Sequence, residues 1–384
     1  MGLLATSLNN AHIPAGTVRQ PRLLVTLNGA SVTGFLEAEV TNESHFTADT
    51  FHAVASATGL PKQYGPAYWA LSAGDQLGIS VGLADATGKI GNSTQLILGQ
   101  VDDVEYDPIR RTVTFTGRDL SAPLLDTKTA EKFQNISSSQ IAAQLAQRRG
   151  LLTTTVQNGK KTSSIQTTTT KAGTYYNIDN VMLTQEQTEW DLLVYLAKQE
   201  GFDVWVSGQT LYFQSSPVAT AAPYKLIAPP LGAGNLSSGA VDIKVCRSQT
   251  LAKDVIVKIQ SWNQKQQKSF IVTYHVSQAF KSQRSGGVSQ TYSYVVPNLT
   301  RDQALALAKS TAEDITRHER VLTARLPGDN LLTTRAQVQL TGTGTAWDQN
   351  YYPDTVTRHI SFDGGYTMEL RAKNHSTQST VVLG

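Results

Sequence analysis

From Arg22 the apolar residues alternate through Leu23, Val25 and Leu27, meet the hairpin-type dipeptide Asn28-Gly29, and resume at Val32, Phe35 and Val40. This period of two predicts a pair of antiparallel strands around a tight turn. Residues 49–57 carry a weaker pattern, which reads as a short helix or irregular backbone. Alternation returns in Leu77-Gly-Ile-Ser-Val-Gly-Leu83, turns at Asp85-Ala-Thr-Gly88, and runs through Leu96 and Leu98 to Val101, Val104 and Tyr106. Asp107-Pro108 marks a further turn before Thr112-Val-Thr-Phe115. A run of short strands of this kind predicts a β-barrel or sandwich.

The period changes after Asp119. Ser138 or Ser139 is placed to cap a helix with Ile141 and Leu145 on one face and Gly150 just past its end. Residues 152–174 are threonine-rich, contain Asn158-Gly-Lys-Lys161, and read as a long hairpin or loop. Thr184 and Gln187 have capping-box spacing, and Trp190, Leu193, Val194 and Ala197 then recur at i, i+3, i+4 and i+7. Gly201 ends this helix, and residues 202–213 read as two short strands around Ser207-Gly208. A Pro/Gly-rich stretch at 222–239 reads as a linker. Beyond it, residues 241–245, 254–259 and 270–276 are strand-like. Thr300 with Gln303 starts another helix, with Leu305, Ala308, Ala312 and Ile315 expected inward and Arg317, His318 and Arg320 in its last turn. Strands resume at 335–340 and end with a hairpin around Asp363-Gly-Gly365.

The fold class expected is mainly β with an α+β insert. A first β-barrel domain spans 1–118, a smaller α+β domain 119–215, and a second β-barrel domain 216–384, carrying the helix at 300–320. One internal comparison links the two ends. Residues 101–119 and 356–374 both read as strand, Asp-led turn and strand. Their second strands align as Thr112-Val-Thr-Phe-Thr-Gly-Arg-Asp119 against Thr367-Met-Glu-Leu-Arg-Ala-Lys-Asn374. The same hairpin is expected to close two related β-domains.

A chain of 384 residues exceeds what one hydrophobic core serves, which also points to two or three domains. Charged residues are 16% of the chain, against about 25% in an average soluble domain. Either other subunits cover much of the surface, or the β surface is neutral and rich in Thr, Ser and Gln. The net charge of +3 is too small to drive phosphate binding by counterion release. A single cysteine, Cys246, excludes an internal disulfide and a Cys-based zinc site, and reads as a small core or interface residue. No secretory signal and no apolar run of about 18 residues is present, so no membrane insertion is expected. Met1-Gly-Leu-Leu-Ala-Thr6 fits the loose myristoylation pattern without a polybasic patch beside it.

Candidate chemistry is sparse. Gly78-Ile-Ser-Val-Gly82 matches the nucleophile-elbow spacing, but Ile79, Val81 and Leu83 alternate as in an ordinary strand, with a turn following where a helix is needed. The histidines, His318 and His359 among them, form no metal-ligand spacing. Asp102, Asp103 and Glu105 cluster, yet regular alternation would put the two aspartates on opposite faces, as rim or lumen decoration. Gly232-Ala-Gly234 and Gly342-Thr-Gly344 lack the context of phosphate loops. Lys160-Lys161 make at best a weak anionic contact. Trp69, Trp190, Trp205, Trp262 and Trp347 follow no nucleic-acid module and read as core or interface anchors. No catalytic, cofactor-binding or metal-binding residue is assigned, no cofactor is expected, and the protein reads as non-enzymatic.

The order of β-domain, α+β insert and second β-domain resembles the tail hub family of contractile phage tails, known as late control protein D and related to the hub half of VgrG spikes. The resemblance is carried by residues 183–206, the strand ending in Thr116-Gly-Arg-Asp119, and Thr357-Arg-His-Ile-Ser-Phe-Asp-Gly-Gly-Tyr-Thr-Met-Glu-Leu370. It implies two tail-tube-like barrels per chain and a homotrimer that closes a pseudo-sixfold ring, adapting a hexameric tail tube protein to a central spike protein. Tape measure and other baseplate proteins are further implied partners, and the genome passes through the lumen without sequence-specific binding. The implied location is the virion tail baseplate, after synthesis in the host bacterial cytoplasm. Because the last strand lies close to Gly384, the spike is expected to be a separate protein. Two other readings stay open: a carbohydrate- or peptide-binding β module of the same particle, and a cell-wall hydrolase acting through Ser80 or paired carboxylates.

Overall fold

The computed structural model describes residues 20–44, 46–84, 90–129, 131, 133, 136–157, 159–169, 187–215, 223–228, 240–248, 255–263, 268–276, 290–296, 299, 301–316 and 319–374. The turn expected at Asp85 to Gly88, Thr184, most of the 222–239 linker, Thr300, Arg317, His318 and the myristoylation motif lie outside these residues.

The first part of the chain is β1 (Gln20–Leu27), β2 (Ala30–Val32), β3 (Phe35–Glu43), β4 (Thr50–Ser56), α1 (Pro66–Trp69), β5 (Gln76–Ala84), β6 (Ile90–Asp107) and β7 (Thr112–Asp119). The insert contributes α2 (Ala122–Asp126), α3 (Ser138–Arg148), β8 (Thr154–Gln157), β9 (Lys160–Ser163), α4 (Glu189–Glu200), β10 (Phe202–Ser207) and β11 (Thr210–Ser215). The remainder is β12 (Tyr224–Ile227), β13 (Asp242–Arg247), β14 (Val255–Asn263), β15 (Lys268–Val276), β16 (Gln290–Val295), α5 (Arg301–Thr316), β17 (Arg320–Pro327), β18 (Val338–Thr341), β19 (Asn350–Ser361) and β20 (Gly365–Lys373). The expected mainly β fold with an α+β insert is what the chain adopts.

Strands from both ends of the chain form one large sheet. Its order is β13-β17-β20-β19-β3-β4-β7-β6-β5-β1-β2, with β18 beside the start of β19 and β12 parallel to β18. Strand alternation gives it two unlike faces. Ala38, Val40, Phe51, Ala53, Val113 and Phe115 point into one core, and Leu322, Leu326, Val356, Met368 and Leu370 into another. Each fully buried Val, Leu, Phe or Met among them contributes about 1.5–3 kcal/mol. Asn28 and Gly29 both take positive φ, as a two-residue hairpin turn requires. Residues 49–57, expected to be helical or irregular, contain strand β4. Ala53 and Ala55 are completely buried there, and such small side chains leave little period-two signal.

The insert has its own core, in which Ile141, Leu145, Leu193, Leu196 and Phe213 are fully buried. Its helix starts differ from expectation by a few residues. The cap of α3 is Ser137, one residue before the expected serines, in a capping box with Gln140. The cap of α4 is Thr188 with Asp191 at the third helical position, where the shorter Asp replaces the expected Glu or Gln. Gly150 and Gly201 take the left-handed conformation that ends each helix. α5 packs on a separate three-stranded sheet, β15-β14-β16, instead of on the large sheet. It presents Ala304, Ala308 and Ala312, while Leu305, expected inward, is exposed. An alanine stripe lets a helix approach a sheet closely, so the large residue turns outward. The strand expected at 335–340 begins only at Val338.

Candidate assembly interface

Within the large sheet the same four-stranded unit occurs twice. In chain order, β3, β4, β6 and β7 stand in the sheet as first, second, fourth, third; β13, β17, β19 and β20 stand in the same order. All neighbours are antiparallel, and the third strand of the later unit, β19, pairs with the first strand of the earlier one, β3. The two units are thus joined head to tail.

The correspondence extends to single residues. In the β6–β7 hairpin the register shifts between Val101 and Asp103, so that Asp102 is the extra residue of a bulge. In β19–β20 the shift falls between Pro353 and Thr355, with Asp354 as the extra residue. Asp102 binds Arg118 at 2.7 Å, and Asp354 binds Lys373 at the position matching Arg118. One residue further, Asp119 and Asn374 each donate the backbone N–H to the carbonyl of the residue beside them, Asp49 and Arg320, and accept that residue's N–H through a side-chain oxygen. The aligned octapeptides therefore lie in equivalent register in the structure. A bulge, a paired cation and a side-chain clamp recurring together mark a repeat, since bulges are specified features and not random defects.

The seam between the units is tightly made. Thr355 to Ser361 pair with Glu43 to Glu37 in unbroken register. Thr41 and Thr357 bring their hydroxyls to 3.2 Å, and Thr355 donates to Glu43 at 3.0 Å. Arg358, almost fully buried, donates through Nη1 to Asn42 Oδ1 at 3.0 Å, through Nε to the Asp329 carbonyl at 3.0 Å, and through Nη2 to the Leu332 carbonyl. Asn42 in turn donates to Asp49 at 2.8 Å, and Asn330 donates to the Val81 carbonyl at 2.9 Å. Desolvation raises the carboxyls of Glu43 and Asp49 above their ordinary values. Arg335, whose charge burial disfavours, lies 4.1 Å above the ring of Trp205 and so ties the insert to the junction.

The face of the eight strands turned away from the two cores is polar. Across the sheet it presents Asp103, Glu105, Thr114, Thr116, His52, Glu39, Thr41, His359, Thr357, Glu369, Arg371, Arg325, Thr323 and Lys244, as the strand registers require. Over β13, β17, β19 and β20 it is concave.

The sequence candidates fall as follows. Ser80 lies in regular strand β5, paired with Leu24 and between fully buried Ile79 and Val81, so no elbow exists there. Asp102 and Asp103 do not take opposite faces: the bulge carries Asp102 to Arg118, on the polar face that Asp103 shares. His359 is on that face, 3.8 Å from Glu37. Cys246 is exposed on β13. Lys160 and Lys161 are exposed on the β8–β9 hairpin. Trp69 is buried beside Phe115, and Trp190 is buried and donates to the Phe46 carbonyl at 2.7 Å. Trp205 stacks on Tyr212, Trp347 faces Arg320, and Trp262 is half-exposed. Among the described residues no group of three or more His, Cys, Asp or Glu is placed to hold a metal ion. Sequence reasoning missed Arg358 and Asn42, which meet each other across 316 positions.

The architecture has close counterparts among solved structures. Over 94% of its length the chain is similar to the tail protein from Neisseria meningitidis MC58, covering 99% of that chain with a TM-score of 0.62 and 13% identity. This is the fold of phage tail proteins. The same tail-protein fold occurs in the 43 kDa tail protein of prophage MuSo2 from Shewanella oneidensis, with a TM-score of 0.60, 13% identity, and coverage of 93% of this chain and 99% of that one. It occurs also in the E. coli c3393 protein, a component of the type VI secretion system described as structurally similar to T4 tail proteins gp27 and gp5. There the TM-score is 0.50 at 10% identity, over 92% of this chain and 77% of that one. No protein-family model and no curated protein matches the sequence.

Proposed function

We propose that the chain is the structural hub of a contractile-tail baseplate, a homotrimer that adapts a hexameric tail tube to a central spike. The observation that carries this reading is the head-to-tail repetition of one four-stranded unit within a single sheet. Three copies, each supplying two equivalent units, close a ring with sixfold spacing on the side of the tube and threefold symmetry on the side of the spike. Regions 1–118 and 216–384 then act as the two tube-like domains, with 119–215 as the insert between them. The polar sheet face lines the channel, through which the genome passes without base-specific contact. The tail-protein fold shared with the Neisseria, MuSo2 and c3393 proteins supports this placement, and a tube protein, a spike protein and tape measure are its partners. The hub performs no chemistry. Mass measurement of the purified chain, followed by electron microscopy of the assembled particle, tests it. A trimer in a ring of six similar lobes is expected; a monomer that remains outside the baseplate overturns the reading.

A further inference from the structure

β3 has β19 along its outer side. Among the described residues no strand lies along the outer side of β13, nor along β6 from Asp102 to Asp107. Unprotected edges of this length invite pairing. We propose that these two edges pair with each other between copies of the chain: β13 of one copy runs antiparallel to the second half of β6 of the next, in the register that β3 and β19 hold inside one chain. This rests on the hub reading and adds to it the strands, the register and the residues in contact.

The repeat fixes the register. Thr41 sits beside Thr50, which sits beside Arg118; Cys246 sits beside Val321, which sits beside Lys373. Cys246 is therefore the counterpart of Thr41. Thr357 sits beside Glu369 and Glu105 beside Thr114, and Glu369 aligns with Thr114, so Glu105 is the counterpart of Thr357. Since Thr41 faces Thr357 with hydroxyls 3.2 Å apart, Cys246 of one copy faces Glu105 of the next at the same closeness. By the same mapping Val245 meets Tyr106, Lys244 meets Asp107, and Arg247 meets Val104.

Burial and charge agree with this pairing. Val356 and Arg358 are covered because β3 lies beside them, whereas their counterparts Val104 and Tyr106 are part-exposed, Tyr106 at 38%. The open stretch of β6 carries Asp102, held by Arg118 of β7, with Asp103, Glu105 and Asp107 and no cation of its own, whereas β13 carries Lys244, beside Asp242, and Arg247, paired with Glu319. In the internal seam the polarity is reversed: Glu37 and Glu39 on β3 lie beside His359 on β19. An acidic β3 placed against the acidic β6 of a neighbour is repelled, so charge selects the intended partner edge.

Cys246 is the single cysteine of the chain, which makes the register directly testable. The full-length Glu105→Cys variant is purified, its assembly state measured by light scattering, and the sample oxidised with copper phenanthroline. A disulfide-linked trimer on a non-reducing gel is expected, absent when Cys246→Ser is added and absent for Tyr106→Cys, which points to the other side of the sheet from Glu105. If Glu105→Cys folds poorly, Asp107→Cys with Lys244→Cys on a Cys246→Ser background is expected to link as well. A trimer in which these pairs do not link, while Asp103→Cys links to Cys246, overturns the register and leaves the hub reading standing. A chain that forms no trimer, alone or within the particle, overturns both.

Discussion

Asp119 and Asn374 occupy the same place in the two sheet units, and each accepts a backbone N–H through a side-chain oxygen, from Asp49 at 3.2 Å and from Arg320 at 2.9 Å. The repeat has kept the clamp but used an ionisable group once and a neutral one once. Asp119 is buried next to Asp49, and desolvation with the Asp49 charge pushes its carboxyl up to about 7 from the ordinary 3.8, against donation from Ser121.

A carboxyl held above its unfolded value binds its proton more tightly in the folded chain, so its contribution to stability is greatest at low pH and is lost as pH rises through the folded value. The melting temperature of the protein is expected to fall between about pH 4 and pH 7 from this group and to level above. Asp49, also raised by burial, adds in the same direction. Asp119→Asn, which copies Asn374, is expected to flatten that slope. Differential scanning fluorimetry from pH 4 to 8 measures it, and an unchanged slope in the variant refutes the assignment.

The two bulge ion pairs differ in burial, and their removal is expected to differ accordingly. Lys373 is almost fully buried against Asp354, while the Asp102–Arg118 pair is more open and shared with Asp126. Lys373→Met leaves a poorly solvated carboxylate and is expected to cost about 3 kcal/mol. Arg118→Met is expected to cost about 1 kcal/mol or less. Urea titration of both variants gives the comparison, and equal losses contradict it.

Much of this fold is legible in the chain because regular strands and capped helices carry local signals. Asn28-Gly29, the aligned octapeptides and Gly201 each announce what they do. The bulge at Asp102 is not legible, because alternation presumes an unbroken ladder. Extending the internal alignment backward, past the longer connection at 360–366 that stands against 108–111, brings Asp102 over Asp354 and is the signal available. The seam is illegible for another reason: pairing of Glu37 with Ser361 depends on the whole topology, and nothing near either residue encodes it. The alanines of β4 and α5 are silent because their role is close approach, which hydrophobic patterning does not register.

Gly117 shows where the repeat has diverged in packing. A Cβ there would lie 2.1 Å from the Gln100 carbonyl oxygen and 2.5 Å from the Phe51 ring. Its counterpart is Ala372, fully buried, and the residue matching Phe51 is Leu322. Gly117→Ala is expected to destabilise by about 2–3 kcal/mol through overpacking, with Ala372→Gly costing about 1 kcal/mol. Chemical denaturation separates the two, and a neutral Gly117→Ala would show that β6 and β7 separate easily.

Arg358 and Tyr106 are counterparts on two edges, one covered within the chain and one open, so the same kind of truncation is expected to act at different levels. Arg358→Ala deprives the Asp329 and Leu332 carbonyls and Asn42 of their buried donor. Each lost partner costs about 1–3 kcal/mol, so the monomer itself is expected to melt well below the parent. Tyr106→Ala removes a ring that the single chain leaves part-exposed, and is expected to leave the melting of the dilute monomer nearly unchanged. Its effect belongs to association: dilution of the proposed trimer, followed by mass photometry, is expected to show dissociation at concentrations at least tenfold higher than for the parent. If Tyr106→Ala instead lowers monomer stability and spares association, β6 is a finished edge, and the contact between copies must be made elsewhere.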